Sequence, residues 1–319
     1  MLGEIIAILA TFTFVFSNVL FRKTEHETSP TYINMVRTAI GTLTFFIIAL
    51  IFNVFFQIFL LSWELWFILI MSFVFGQVIG DTAYFKAQKD IGTTISLALA
   101  MTFPLFTFIL SIFFLNEPFE LTLLISIFLI GSGVIIISKS RINVGYTPES
   151  YGESSDTTPT KLIKVEAIIF AILASLGWAI GAIIIDYGTN KVNEILDIGT
   201  LSSVVSNLIR FPFTLLILIS MVLRENYIHN RSNLNKQPKK SSQSWFWLII
   251  ASIIGTSIGA YLYTEAIRLA GASLMALIAT ASPLFALPLT YLINKEKISK
   301  KGFLGVILTI LGVLLILIW

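Results

Sequence analysis

Three ionisable side chains interrupt long apolar stretches of the sequence. Arg37 and Arg210 stand inside such stretches, and Asp81 is the only acidic residue well inside the first half. A guanidinium in this setting binds anions or takes part in gating, unless its long side chain reaches a headgroup region. A carboxylate there binds a proton or a cationic group, unless it pairs with nearby Lys86. The residue types indicate binding chemistry, and both alternatives stay open.

Neutral polar and aromatic side chains accompany these charges. Unsatisfied polar groups are costly in hydrocarbon, so we expect them to face protein or a water-filled cavity. The candidates for substrate binding or for the cavity wall are Asn18, Gln77, Asp81, Tyr84, Thr102, Trp178, Tyr263 and Ser282. Gln77 and Tyr84 are about two helical turns apart, which predicts a shared face with Asp81. Ordinary packing or lipid contact is the alternative for the aromatic members.

Two prolines stand in the middle of apolar stretches. Pro104 and Pro283 each follow a glycine, Gly92 or Gly271, by twelve residues. This distance is about 18 Å along a helix, close to the middle of a bilayer core. Because proline removes a helical hydrogen bond, we predict a kink at each position. The predicted gating or kink residues are thus Arg37, Pro104, Arg210 and Pro283.

The elements that position these residues follow from hydropathy. The 319 residues are 56% apolar and 12% charged, and the mean hydropathy is +0.89. The apolar residues form blocks long enough to cross a bilayer as helices. We therefore predict an all-α integral membrane protein with ten transmembrane helices, at 3–22, 32–57, 64–86, 92–115, 119–138, 165–186, 199–223, 245–267, 271–294 and 301–319. Asp186 and Glu265 are expected at the membrane interface.

Several classes of function lack their residues in this sequence. It contains no cysteine, and its two histidines fall in predicted loops. Neither HExxH nor GxxxxGK[ST] is present, and Gly80-Asp81 lacks the first glycine of a GxGD motif because position 78 is Val78. We expect no catalytic residue, no metal site and no cofactor, so the protein is predicted not to be an enzyme. The pI near 9.0 reflects basic loops and does not indicate nucleic-acid binding.

Glycines recur at a spacing that favours close helix contact. The pairs Gly76 and Gly80, Gly177 and Gly181, and Gly255 and Gly259 each follow a Gly-x-x-x-Gly pattern. Such small-residue stripes let two helix backbones approach closely, so we predict packing surfaces there.

The sequence is internally repeated. A shift of 179 residues places 76–133 on 255–312 without a gap, and it aligns Gly76 with Gly255 and Tyr84 with Tyr263. Asp81 meets Ala260 in this alignment. We assign 1–138 and 165–319 to two five-helix repeats joined by a polar linker, 139–164. Five is odd, so the repeats are inverted, an arrangement typical of secondary transporters with a site at the midplane.

The motifs resemble the drug/metabolite transporter superfamily in its EamA-type ten-helix branch. The residues that carry the resemblance occur in both halves: Phe14 and Trp178, Arg37 and Arg210, Tyr-x-x-Ala at 84–87 and 263–266, Pro-Leu-Phe at 104–106 and 283–285, and Glu117 and Glu296. The resemblance implies a transporter, expected to be an exporter, of small organic metabolites such as amino acids or related compounds, working by alternating access. A membrane receptor or sensor and a lipid scramblase are the alternatives.

The expected surroundings are a lipid bilayer, a small-molecule substrate with protons as a candidate second one, and a monomeric state in a prokaryotic cell membrane. Loops after odd-numbered spans hold 17 Lys and Arg residues, against 2 on the opposite side. The positive-inside rule then places both termini outside, whereas the family resemblance places them inside.

Overall fold

The structure of the chain, a computed structural model, is built almost entirely from helices. It describes residues 2–107, 125, 128–129, 131–133, 135–136, 141–143, 160–162, 165–231, 241–295 and 297–318. The helices, numbered in chain order, are α1 Leu2–Arg22, α2 Pro30–Ile51, α3 Trp63–Phe73, α4 Thr82–Ile91, α5 Thr93–Ala100, α6 Val165–Leu196, α7 Leu201–Arg231, α8 Ser242–Ser252, α9 Gly259–Ala279, α10 Ser282–Asn294 and α11 Lys300–Ile318. Residues 103–107 and the described positions between 125 and 136 are also helical.

Six helical segments are long and apolar enough to cross a membrane: Leu2–Arg22, Pro30–Ile51, Trp63–Ile91, Val165–Leu196, Leu201–Ile228 and Ser242–Ala272. They correspond to the first, second, third, sixth, seventh and eighth predicted spans, and a multi-pass helical membrane protein is thereby confirmed. The predicted fourth span continues past the described residues at 107, and most of the fifth lies outside them. The total of ten spans therefore stays a prediction.

Helix ends differ from the sequence prediction at three places. α2 stops at Ile51, short of the predicted 57, because Asn53 is left-handed (φ 57°) and a 3₁₀ segment, Phe55–Leu60, follows. α6 and α7 run 10 and 8 residues beyond their predicted ends at 186 and 223. Hydropathy marks where an apolar segment ends, but polar residues continue a helix when their side chains are satisfied. In α6, Lys191 does so by bonding Glu194 one turn later.

Short π-helical segments interrupt two of the long helices. Val74–Asp81 joins α3 to α4, and Ile253–Ile258 joins α8 to α9. A π turn inserts a residue into the helical repeat and shifts the direction of every side chain that follows. Both segments carry residues predicted for the site.

Three short strands form a small sheet from polar parts of the chain. β1 (Arg141–Asn143) pairs antiparallel with β2 (Thr160–Leu162) and with β3 (Lys297–Ile298), in the order β2-β1-β3. Ile142 stands opposite Lys161 on one side and Ile298 on the other. These described positions of the predicted linker are thus held beside the segment between α10 and α11.

The predicted glycine stripes pack the two sequence halves against each other. Segment Val74–Asp81 crosses α6 so closely that a Cβ on Gly181 would lie 3.1 Å from the Cα of Gly76. Gly177 stands in the same relation to Gly80. Elsewhere in the bundle α1 packs along α9, and α2 packs along α7. The middle of the molecule is therefore an interface between the halves.

Candidate functional site

A cavity lies at this interface. Its volume is about 130 Å³, on a scale where one water molecule needs about 10–15 Å³. It therefore has room for roughly ten waters or one small organic molecule. Both sequence halves contribute to the wall, which includes α1, α2, α6, α7, α9 and the two π-helical segments.

Two interrupted helices border the cavity. α5 ends at Ala100 and the chain turns at Met101 and Thr102, while α9 ends at Ala279 and the chain turns at Thr280 and Ala281. The predicted kinks at Pro104 and Pro283 are therefore complete breaks. Each proline falls in the first turn of the helix that follows, where its missing N–H needs no partner. Neither proline lines the cavity, so both act on the wall indirectly.

Glycines begin the chain segments that lead to these breaks. Gly92 has φ 80° and Gly271 has φ 82°, a left-handed conformation that favours glycine. Asp186 of α6 accepts a hydrogen bond from the backbone N–H of Ala272 at 2.8 Å, directly after Gly271. The expectation of an interfacial Asp186 thus needs correction, since its carboxylate caps an internal helix end.

An ion pair stands at the cavity wall. The Arg37 Nη1 lies 3.3 Å from the Asp81 Oδ2, and the Arg37 Nε donates to the Thr256 Oγ1 at 2.8 Å. The indole N–H of Trp178 donates to the other Asp81 oxygen at 2.8 Å. Two alternatives from the sequence are therefore wrong: Arg37 does not reach a headgroup region, and Asp81 does not pair with Lys86. The Lys86 ammonium lies over the Phe170 ring instead.

Arg210 lines the same cavity in a different way. Its side chain is fully enclosed, at 2% exposure, so a headgroup position is wrong here too. The guanidinium carbon lies 3.8 Å from the centre of the Phe73 ring. Among the described residues, neither the Nε nor the Nη1 of Arg210 has a hydrogen-bond partner. The repeat equivalent of Asp81, Ala260, lines the cavity as well and offers no charge.

Aromatic rings form one side of the cavity. Phe14 and Trp178 line it with ring centres 5.5 Å apart and nearly perpendicular planes. Tyr84 packs behind them, 5.3 Å from Trp178, and its hydroxyl donates to Gln88. The predicted shared face of Gln77 and Tyr84 is therefore wrong. Gln77 lines the cavity and Tyr84 does not, because the π segment between them shifts the helical phase.

The other neutral candidates divide between the wall and its support. Tyr263 and Ser282 line the cavity, and the Ser282 hydroxyl has no partner among the described residues. Thr102 supports the broken helix, since its hydroxyl donates to the Leu99 carbonyl and bonds Ser175 at 2.9 Å. Asn18 is buried outside the wall, and its side-chain amide has no partner in the described part of the chain.

Sequence reasoning missed several wall residues. Thr256 is the repeat equivalent of Gln77, so the 179-residue shift would have found it. Phe73 and Phe211 carried no signal, because aromatic residues are frequent throughout the spans. Glu265, expected at the interface, is buried at 1% exposure and bonds both Arg268 and Ser203. The described residues contain no group of three His, Cys, Asp or Glu placed to hold a metal.

A multi-pass helical bundle with a small enclosed cavity defines the class of protein that moves or binds molecules within a membrane. Residues 1–139 and 165–318 match the model of the EamA-like transporter family, and the chain belongs to this family. The resemblance drawn from the motifs is thereby confirmed, and the protein is a membrane transporter.

Two further comparisons agree with this assignment. An uncharacterized transporter of Archaeoglobus fulgidus is 24% identical over 318 residues, with 100% of this chain and 99% of that protein covered. A solved crystal structure superimposes with a TM-score of 0.62 over 99% of this chain and 96% of its own, at 14% identity. The second likeness is one of fold alone.

Proposed function

We propose that the protein is a secondary transporter that exports small organic metabolites, such as amino acids or related compounds, by alternating access of the central cavity. The observation that carries the proposal is the composition of the cavity wall. Phe14 and Arg37 come from the first half of the sequence, and Trp178 and Arg210 come from the second. A site enclosed between two bodies can open to either side of the membrane when the bodies rock against each other. Because one chain encloses the whole cavity, we propose that a monomer is sufficient.

Equivalent local structures support two inverted five-helix repeats, 1–138 and 165–319, joined by the linker 139–164. The π segments begin at Val74 and Ile253, which are 179 residues apart. The left-handed glycines, Gly92 and Gly271, have the same separation, as do the breaks after α5 and α9. Ten spans in two groups of five account for these equivalences.

A flux assay tests the transport proposal. Purified protein in liposomes loaded with labelled candidate metabolites is expected to give saturable, ATP-independent efflux. Ala182→Trp fills the cavity and is expected to abolish flux, whereas Ile183→Trp, one position along α6 and 37% exposed, is a matched control expected to retain it. Saturable binding without flux would favour a receptor or sensor, and movement of labelled lipid would favour a scramblase.

We further propose that Asp81 couples transport to protons. Its carboxylate is held by Arg37 and Trp178, so protonation would release Arg37 from its partner and alter the wall. A pH gradient across liposomes is expected to drive flux in the wild type, and Asp81→Asn is expected to remove the dependence on the gradient. Equal, pH-independent flux in both proteins would contradict coupling.

The Lys and Arg distribution favours both termini outside the cell. A reporter that is active only in the cytoplasm, fused after Trp319, is expected to be silent in a prokaryotic host. An active reporter would reverse the orientation and with it the side to which export is assigned.

A further inference from the structure

Arg210 differs from the other cation of the cavity in having no described anionic partner. Arg37 is neutralised by Asp81 and bonds Thr256. Arg210 is 2% exposed, and its Nε and Nη1 lack hydrogen-bond partners in the described chain. One face of its guanidinium is covered by the Phe73 ring. The two arginines are repeat equivalents, yet their charge environments differ.

The other buried acidic groups near the middle of the described chain are already engaged. Glu265 bonds Arg268 through both oxygens and also accepts from Ser203. Asp186 accepts from the backbone N–H of Ala272 and from Asn190. The described cavity wall therefore carries two guanidinium groups and one carboxylate, a net charge of +1.

The repeat shows how this imbalance is built. Arg37 aligns with Arg210, but Asp81 aligns with Ala260. The second half has the cation of the pair without its anion. A guanidinium does not lose its proton in a protein, so the charge cannot be removed by titration. An enclosed and unpaired charge is unfavourable unless an anion compensates it.

The rest of the wall limits what that anion can be. Phe14, Trp178 and Phe211 offer an apolar and aromatic surface, while Tyr263 and Ser282 offer hydroxyl groups. A cation would add to a cavity that is already positive, and a dianion would exceed its charge. A single carboxylate on an apolar body satisfies both parts of the wall, because guanidinium and carboxylate form strong charge-assisted hydrogen bonds.

We propose that the cavity takes an organic monoanion, with its carboxylate on Arg210 and its apolar body along the Phe14 and Trp178 rings. This inference rests on the proposed function for its meaning as a substrate class. The anion site itself is testable by binding alone, without any flux. A zwitterionic amino acid fits less well, since its ammonium group would have to compete with Arg37 for Asp81.

A matched set of phenyl compounds tests the charge requirement. Binding of 3-phenylpropionate, 3-phenylpropionamide, 3-phenylpropylamine and phenylalanine to the detergent-purified full chain is followed by tryptophan fluorescence and thermal unfolding. We expect 3-phenylpropionate to bind at least tenfold more tightly than the amide and the amine. Equal affinity for acid and amide, or preference for the amine, would overturn the proposal. Equal stabilisation by chloride or inorganic phosphate would also overturn it, since any small anion would then suffice.

Variants separate the role of Arg210 from general folding. Arg210→Gln is expected to weaken 3-phenylpropionate binding at least tenfold, and Lys191→Gln, which removes an exposed cation from α6, is expected to leave it unchanged. Ala260→Asp restores the missing carboxylate. It is expected to abolish binding of the acid and to raise the unfolding temperature of the ligand-free protein. Tight binding of the acid by Ala260→Asp would contradict the inference even if Arg210→Gln fails to fold.

Flux distinguishes the two proposals. Efflux of neutral or cationic compounds that is unaffected by 3-phenylpropionate would keep the transporter and overturn the anion site. Tight, Arg210-dependent binding of the acid without flux of any labelled compound would keep the anion site and overturn the transport cycle.

Discussion

Arg37 and Asp81 form an enclosed ion pair, with the Nη1 of the guanidinium 3.3 Å from the Oδ2 of the carboxylate and neither side chain more than 10% exposed. Arg37 also donates to Thr256. The pair therefore connects α2 with Val74–Asp81 from its own half and with Ile253–Ile258 from the other half. Because both charges are enclosed, loss of either one leaves the other without compensation.

Removing one member of this pair is expected to be more costly than removing both. Arg37→Gln and Asp81→Asn are each expected to lower the free energy of unfolding by about 3–5 kcal/mol, the usual cost of leaving one buried charge unpaired. In the double variant the losses are expected to fall short of their sum by about 0.5–3 kcal/mol. Denaturant unfolding in detergent micelles measures all four proteins. Strict additivity would show that the two charges do not interact.

The crossing of Val74–Asp81 with α6 predicts a steric effect. A Cβ on Gly181 would lie 3.1 Å from the Cα of Gly76 and 2.8 Å from the carbonyl oxygen of Ser72. Backbone atoms cannot yield as a side chain does, so Gly181→Ala is expected to separate the two elements and lower stability by about 1–3 kcal/mol.

Gly131 provides the control for this substitution. A Cβ there would meet no atom within 4 Å among the described residues, and the position is helical. Gly131→Ala is expected to be neutral or to stabilise by up to about 1 kcal/mol, since alanine favours the helix. Equal thermal shifts for the two variants would contradict close packing at Gly181.

Local patterns predicted the wall better than they predicted its contacts. Gln77 and Asp81 were placed at the cavity by polarity within an apolar stretch, and both line it. Tyr84 was placed on their face by an ideal helical period, which the π segment breaks. Such a segment arises from the packing of α6 on Gly76 and Gly80, so it depends on residues about 100 positions away.

The partner of Asp81 shows the same limit. Sequence proximity favoured Lys86, five residues away, but the fold brings Arg37 to the carboxylate from another helix. The repeat alignment carried more information than distance along the chain. It paired Arg37 with Arg210 and exposed the loss of the carboxylate at Ala260, although it did not show that Arg210 is enclosed.

The cap that Asp186 provides predicts a local contribution to stability. Its carboxylate accepts the Ala272 N–H at 2.8 Å, at the start of the helical turn after Gly271. Asp186→Ala is expected to cost about 0.5–2 kcal/mol, the range of helix-cap losses, while Asp186→Asn retains an acceptor and is expected to cost less. Hydrogen exchange measured by mass spectrometry should show faster exchange near 272–279 in the alanine variant. Unchanged exchange there would argue against a capping role.

A final prediction concerns pH and the loop between α1 and α2. The Glu27 Oε2 accepts the backbone N–H of Ser241 at 2.7 Å, at the residue that caps α8. Partial burial raises the pKa of Glu27, but hydrogen bonds from Ser244 and Ser241 and the nearby His26 outweigh it, so the pKa lies below its ordinary value of 4.5. A lowered pKa means that the folded protein favours the carboxylate, which stabilises it above pH 4.5 and no longer does so once the pH falls through the folded pKa. The excess stability of the wild type over Glu27→Gln is therefore expected to be constant above about pH 5.5 and to shrink on acidification. Thermal unfolding from pH 7 to pH 3 measures this difference, and the same decline is expected in a His26→Gln background because the serine donors remain. A difference that grows as the pH falls would contradict the link between Glu27 and the start of α8.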